Sequence, residues 1–314
     1  MRNPVTSIAC WLTAPDYANL PLLPFGCVDI GSNTTRLLVA EIEDGRLREL
    51  AAVREFTLIG SAVDAEGIIP PQKIEETAEA VAAQVATALR LGAKLVNVVG
   101  TAVLRSAPNT QELADEVSRM TGYPLRVLSE EAEAELSFLG ATAVSELEGE
   151  EAVAVADVGG GSSELAVGAP GHKPGWWHSL DLGSARLARL FLADDPPTPD
   201  QVAQLREHAA DVVARLEPPP VERALAVGGS ATSMRMLTGP TLDDNALERA
   251  LHLLCHKSAA DVARDHEIDI RRVRLLPAGI AILAAVSGLL RLPLHVARGG
   301  LREGVVLRLA EAQD

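Results

Sequence analysis

Two stretches of this chain place carboxylates, glycines and hydroxyls at matching intervals. Asp29-Ile30-Gly31-Ser32-Asn33-Thr34-Thr35-Arg36-Leu37-Leu38-Val39 aligns with Asp157-Val158-Gly159-Gly160-Gly161-Ser162-Ser163-Glu164-Leu165-Ala166-Val167, position for position. Both read Asp, apolar, Gly, two small or polar residues, two hydroxyls, a charge, Leu, any residue, Val. A tight turn of this kind between two strands leaves backbone N–H groups pointing into a concavity, which holds an anion without net positive charge. Glycine allows the close backbone approach, and the hydroxyls add donors. The candidate anion contacts are therefore Gly31, Ser32, Asn33 and Thr34 in the first copy, and Gly160, Gly161, Ser162 and Ser163 in the second. The leading carboxylates, Asp29 and Asp157, are hard oxygen donors suited to a divalent cation. One copy alone reads equally well as a β-hairpin turn. Two copies in register, each opening a run of three expected strands, indicate a duplicated domain.

Three further features carry possible chemistry. Arg105 follows an apolar strand and a Gly100-Thr101 turn; its planar fork suits two phosphate oxygens, or an ordinary surface salt bridge. Gly228-Gly229-Ser230 lies between a strand and a helix, where helix N–H groups favour anions, although Gly-Gly-Ser is also a common loop. Glu130, Glu131 and Glu133 follow Ser129 in what reads as the first turn of a helix, a position that favours acidic side chains on dipole grounds alone. The basic stretch from Arg249 to Arg274 could guide a polyanion, but it reads more simply as a solvated helix face, because Asp261, Asp265, Glu267 and Asp269 dilute it. No histidine has metal-ligand spacing.

The elements that must carry these residues alternate between strand and helix. Strands are expected over Phe25–Ile30, Thr34–Ile42 and Leu47–Ile59, with an Asp44-Gly45 hairpin signal. Pro70-Pro71 open a helix with Ile74, Ala78, Val81, Val85 and Leu89 on one face, stopped by Gly92. Leu95–Val99 reads as a buried strand, Asn109–Met120 as a helix and Leu125–Leu128 as a strand, and Ser129 caps a helix through Ala143. The second half restarts the pattern. Strands are expected at Ala152–Asp157, Ser163–Val167 and Trp176–Leu182, the two tryptophans dividing into one core and one surface residue. Helices follow at Ala185–Phe191 and Pro199–Leu216, a strand at Ala224–Val227, and mostly helix from Leu242 to Leu290.

The chain has 314 residues, 47% hydrophobic and 23% charged, enough for two domains with aliphatic cores. No apolar run is long enough to span a membrane. Three cysteines at unrelated spacings indicate neither a disulfide framework nor a zinc site, and a cytoplasmic location is expected. The net charge of −15 argues against nucleic-acid binding. It also means that any polyanion must be met by local dipoles, arginines or a divalent metal.

Taken together, these blocks resemble the exopolyphosphatase/guanosine pentaphosphate phosphatase (Ppx/GppA) family of the actin-like, sugar-kinase and Hsp70 superfamily. The resemblance runs from Val28 to the C-terminus. It rests on the two loops, Gly100–Arg105, Glu133–Gly140, Gly183–Leu187, Gly228–Ser230, Leu276–Gly279 and Gly300–Gly304. It implies an α/β fold of two duplicated actin-like (ribonuclease H-like) domains with an interdomain cleft: residues 1–24 an N-terminal arm, 25–140 domain I and 141–314 domain II. One loop from each domain would clamp a phosphate chain, and Arg105 is the candidate phosphate clamp. Glu133 falls where the family places its catalytic glutamate. The register rests on the following Ala-x-Leu-x-Phe-x-Gly, and Glu130 or Glu131 takes that role if the loop shifts. Asp157 and Glu164 occupy positions the family uses for Mg2+, with Asp29 as the first-domain counterpart. Gly229 lies where nucleotide-binding relatives contact adenosine. The implied activity is Mg2+-dependent hydrolysis of polyphosphate or guanosine pentaphosphate by a short form of the family that assembles as a homodimer. The alternatives are an ATP-dependent sugar or acetate kinase and a non-catalytic nucleotide sensor.

Overall fold

The computed structural model describes residues 23–312 apart from 44–45, 64, 146 and 148–149. The expected N-terminal arm up to residue 22 and the Asp44-Gly45 turn lie outside the described residues. The chain opens with an antiparallel meander of β1 (Phe25–Ile30), β2 (Thr35–Glu43) and β3 (Arg46–Glu55). A short α1 (Ile59–Ala62) and a long α2 (Pro71–Arg90) lead to β4 (Leu95–Gly100), which pairs parallel to β1. The helices α3 (Ala102–Ser106) and α4 (Thr110–Thr121) then lead to β5 (Leu125–Val127), giving the sheet order β3-β2-β1-β4-β5.

After α5 (Glu130–Val144) the same topology is built again. β6 (Val153–Val158), β7 (Ser163–Gly168) and β8 (Trp176–Leu180) form the second meander. It is followed by α6 (Ser184–Phe191), α7 (Pro199–Val213) and β9 (Arg223–Val227). Next come α8 (Gly228–Thr238), β10 (Thr241–Leu242), α9 (Asp244–His256), α10 (Ala259–His266), α11 (Ile270–Val273), α12 (Leu276–Leu290), β11 (Leu294–Val296) and α13 (Leu301–Glu311). The second sheet runs β10-β11-β9-β6-β7-β8. Read from the other edge, β8-β7-β6-β9-β11 repeats β3-β2-β1-β4-β5, with β6 and β9 parallel as β1 and β4 are. The duplicated domain expected from the loops is therefore present as duplicated topology.

Both sheets are covered on both faces, which is why β1, β2, β6 and β7 are near-continuous apolar runs. The outer face of the first sheet packs on the Ile74, Ala78, Val81 and Val85 stripe of α2 and on α4. Between the sheets stand α5 and α13. Phe138 and Ala141 of α5 pack on Val153, Val155 and Ala166 of the second sheet, whereas Leu301, Val305 and Val306 of α13 pack on Phe25, Cys27 and Leu38 of the first. The C-terminal helix, expected within domain II, thus crosses back to the first sheet. Its apolar residues complete the open inner face there. Trp176 and Trp177 also depart from the core-and-surface expectation: both are half-buried, packed against the outer and inner cores of the second sheet respectively. The third strand stops at Glu55 rather than Ile59, because Leu58 takes a left-handed conformation (φ 52°) and starts α1.

The α5–α13 crossing depends on glycine. A Cβ at Gly304 would lie 2.0 Å from the Leu136 carbonyl oxygen, and one at Gly140 would lie 2.0 Å from that of Gly300. Backbone cannot yield as a flexible side chain does. We expect Gly304→Ala to destabilise the fold by about 1–3 kcal/mol in urea unfolding. Gly288→Ala on α12, where nothing lies within 4 Å, should leave stability unchanged or slightly higher.

Candidate active cleft

The two matching loops face each other across the cleft. Each is closed by the same bond: Gly31 N–H donates to Thr34 O at 3.0 Å, and Gly159 N–H to Ser162 O at 3.1 Å. Each is also braced by a helix start. Leu58 and Gly60 N–H donate to Asn33 O and Ser32 O, while Ser184 and Ala185 N–H donate to Gly159 O and Gly160 O. The loops approach so closely that a Cβ at Gly161 would lie 2.4 Å from Ser32 Oγ, and one at Gly160 would lie 3.1 Å from Asn33 Nδ2. Only residues without a side chain allow this approach.

Ser32, Asn33, Gly160, Gly161 and Ser162 line both of two adjoining cavities and so form the neck between them. The larger, about 1540 Å³, is bounded by Arg105, Trp177, Arg186 and Lys257 among others; the smaller, about 370 Å³, holds Asp29, Glu133 and Asp157. Gly31, Thr34 and Gly229 line the smaller cavity. Ser163 lines neither: its hydroxyl donates to Leu182 O behind the loop, since it is the first residue of β7 and points into the sheet packing.

The acidic residues gather behind the neck. Of the three first-turn glutamates of α5, Glu133 alone is buried (7% exposed) and lines the smaller cavity, while Glu130 and Glu131 are exposed and Glu131 pairs with Lys173. Arg105 is ion-paired with Glu133 and also donates to Leu128 O at 3.1 Å. The expected phosphate clamp therefore stands as the partner of the candidate base. Burial pushes the Glu133 carboxyl up to about 7, against the pull of Arg105, with Asp157 and Asp29 adding repulsion. Asp29 is pushed up to about 6, again chiefly by burial. Asp157 is raised by burial against a hydrogen bond from Ser137. Glu164, 3% exposed, lies beneath the loop wall, accepts from Ser162 at 2.7 Å and Ser179 at 3.0 Å, and is raised well above the carboxylate range by burial and by Glu133.

Facing these carboxylates is a group of arginines that sequence reasoning did not bring together. In β1–β2, Asp29 pairs across the strands with Arg36; in β6–β7, Asp157 pairs with Glu164. The duplicated loops thus differ in charge at one equivalent position. Arg36 in turn lies opposite Arg54 on β3, a like-charge pair that is unfavourable in a sheet without an anion. Arg272 of α11 and Arg302 of α13 complete the group, all four lining the smaller cavity. Burial and the neighbouring guanidinium groups lower Arg36 to about 9, and burial with Arg54 lowers Arg272 to about 10. The Nε of Arg36 is buried with no hydrogen-bond partner, as is Oδ1 of Asp29. The Arg36/Glu164 mismatch inside the repeat was the available signal. The expectation of a solvated basic face is corrected at Arg272: that side chain turns inward and donates to Gly229 O at 2.9 Å, because α11 is a single turn wedged against α8. Lys257 and Arg264 remain on the surface, paired with Asp265 and Asp261.

Comparison with known proteins places this cleft in context. A model of the Ppx/GppA phosphatase family matches residues 38–313. The chain is 34% identical over 302 residues to an uncharacterised protein of Streptomyces coelicolor, covering 90% of this chain and 89% of that one. It is 28% identical over 308 residues to exopolyphosphatase 1 of Mycobacterium tuberculosis, covering 92% and 88%. Its structure is similar to the crystal structure of the Aquifex aeolicus Ppx/GppA family member, with a TM-score of 0.80, 26% identity and coverage of 94% and 99%. An exopolyphosphatase from Cytophaga hutchinsonii shares the fold with a TM-score of 0.81 at 20% identity, covering 92% and 98%.

Proposed function

The chain belongs to the Ppx/GppA phosphatase family, and on that premise we propose that it is a Mg2+-dependent exopolyphosphatase removing terminal phosphate from inorganic polyphosphate. The observation that carries this reading is the juxtaposition, in one cavity, of a buried glutamate with four arginines, of which Arg36 keeps a buried Nε without a hydrogen-bond partner. A cavity with clustered guanidinium groups on one wall and amide-lined loops at its neck suits a linear polyanion.

The donor set fits a divalent cation. Asp157 and Asp29 are hard oxygen donors raised by burial, and Asp29 Oδ1 has no partner. Among the described residues no three His, Cys, Asp or Glu side chains form a complete cage. Mg2+ characteristically takes one or two carboxylates and leaves the rest to water and substrate phosphate. Asp157 and Asp29 would hold it, while Glu164, engaged by Ser162 and Ser179, lines neither cavity and lies outside this donor set. When bound, the ion neutralises charge on the phosphoryl oxygens.

The protein's own groups do the remainder. The loop amides and the hydroxyl of Ser32 hold the terminal phosphate at the neck, and Arg36, Arg54, Arg272 and Arg302 hold neighbouring phosphates. Glu133 orients a water towards the terminal phosphorus and accepts its proton as the P–O bond to the shortened chain breaks. Arg105 fixes the rotamer of Glu133.

Guanosine pentaphosphate is the second substrate this cleft admits, because the 1540 Å³ outer cavity with Trp177 on its wall offers more room than a bare phosphate chain needs. Phosphate release from polyphosphates of several lengths, guanosine pentaphosphate, ATP and pyrophosphate tests both readings. Release from polyphosphate that stops with EDTA and returns with Mg2+ is expected. Turnover that survives EDTA removes the cation from the proposal, and ADP formed only with a sugar or acetate acceptor replaces hydrolysis by phosphotransfer.

A further inference from the structure

α5 carries two buried polar side chains on one face, Glu133 and Ser137, four residues and therefore about one turn apart. The first lines the smaller cavity. The second, 1% exposed, donates its hydroxyl to Asp157 Oδ2 at 2.6 Å. This contact joins the helix between the sheets to the loop that opens the second domain. Among the described residues, Ser137 is the hydrogen-bond donor recorded for the Asp157 side chain, and no Lys or Arg forms an ion pair with it. The other oxygen is confined differently. It packs against the backbone of Gly228, where a Cβ would stand 2.8 Å from Oδ1. One oxygen of Asp157 is thus tied by a hydroxyl, while the other is kept clear by a residue that has no side chain.

We propose that Ser137 is a positioning residue: its hydroxyl holds Oδ2 of Asp157 so that Oδ1 is presented to a divalent cation at a fixed distance from Glu133. This rests on the reading of Asp157 as a cation ligand. A carboxylate free to rotate would offer either oxygen or both, and would lose entropy on binding. One tethered through a rigid helical turn is already oriented. The same turn sets the spacing between the group that orients the water and the group that holds the cation. Ser137 touches neither substrate nor cation, so it acts only through Asp157.

The test is Mn2+ binding to the purified full chain, followed by titration calorimetry and by the loss of the free-ion paramagnetic resonance signal. Ser137→Ala is nearly isosteric and improves helix propensity but leaves Asp157 Oδ2 without its donor, so a folded protein with an unchanged or modestly lower melting temperature is expected. Its Mn2+ affinity should fall about 10- to 100-fold, the range seen when a hydrogen-bond partner of a metal ligand is removed. In an Asp157→Ala background the same change should add nothing, since the residue through which it acts is gone. Full Mn2+ affinity in folded Ser137→Ala overturns the proposal, as does an equal loss with and without Asp157. If Asp157→Ala itself binds Mn2+ like the unaltered chain, the cation reading fails instead, and that result is separate from polyphosphate hydrolysis, which the phosphate-release assay decides.

Discussion

Glu133→Gln should lower polyphosphate turnover by roughly 100- to 10,000-fold, the contribution of a positioned general base, while leaving substrate affinity nearly intact. The amide retains the shape of the side chain, and its oxygen still accepts from Arg105, but it cannot take the proton of the attacking water. The same substitution should stabilise the fold in a pH-dependent way. Glu133 titrates near 7 in the folded protein, against an ordinary value of 4.5, because it is buried among other carboxylates. Its folded pKa is raised, so the folded state binds the proton more tightly than the unfolded state. Nothing is lost while both states are protonated, below about 4.5. The penalty then grows as pH rises and is complete above about 7. The melting temperature of Glu133→Gln should therefore exceed that of the unaltered chain more at pH 8 than at pH 5. Activity of the unaltered chain should climb between pH 6 and 8 as the base deprotonates. A Gln variant with normal turnover would move the role of base elsewhere, Glu130 and Glu131 being the nearest candidates in sequence. A gap in melting temperature that is the same at both pH values would mean that Glu133 is not strained by ionisation.

Arg36→Met and Arg272→Met, made separately, should each weaken binding of tripolyphosphate by roughly 10- to 150-fold, the 1.5–3 kcal/mol of a hydrogen bond to a charged group. The loss should shrink at high salt, since the interaction is partly Coulombic. Arg272 has its pKa lowered by burial and by Arg54, so its charged form is held at a cost in the ligand-free fold. Arg272→Met should therefore raise thermal stability without ligand, even as it lowers affinity. The combination is diagnostic. An arginine serving packing or a structural ion pair would lose stability when replaced, whereas one kept for an anion gains it. Calorimetric titration at two salt concentrations, with melting curves of the free proteins, decides between them. Unchanged tripolyphosphate affinity in both variants would remove the arginine group from the substrate site.

Much of this was legible in the residues. The repeated Asp-x-Gly loops announced a duplication because turn chemistry is local: glycine, hydroxyls and flanking apolar runs specify a strand–turn–strand unit wherever it occurs. The two sheets accordingly repeat one topology, and helices such as α2 and α5 begin where Pro71 and Ser129 place them. Helical periodicity alone did not single out Glu133, because Glu130 shares its face with Glu133 and Ser137 at i, i+3 and i+7 and yet stays exposed as the first residue of α5.

What the linear order could not reveal was which charges meet. Arg36, Arg54, Arg272 and Arg302 come from two neighbouring strands, a one-turn helix and the C-terminal helix, and they share a cavity only because α13 crosses back onto the first sheet. Arg105, which reads as a free clamp, proves to be held by a glutamate 28 residues away. Local propensity decides the backbone at each turn. The electrostatics of the cleft depend on distances between segments remote in sequence, and those distances exist only after the apolar faces of α5 and α13 have been buried between the two sheets.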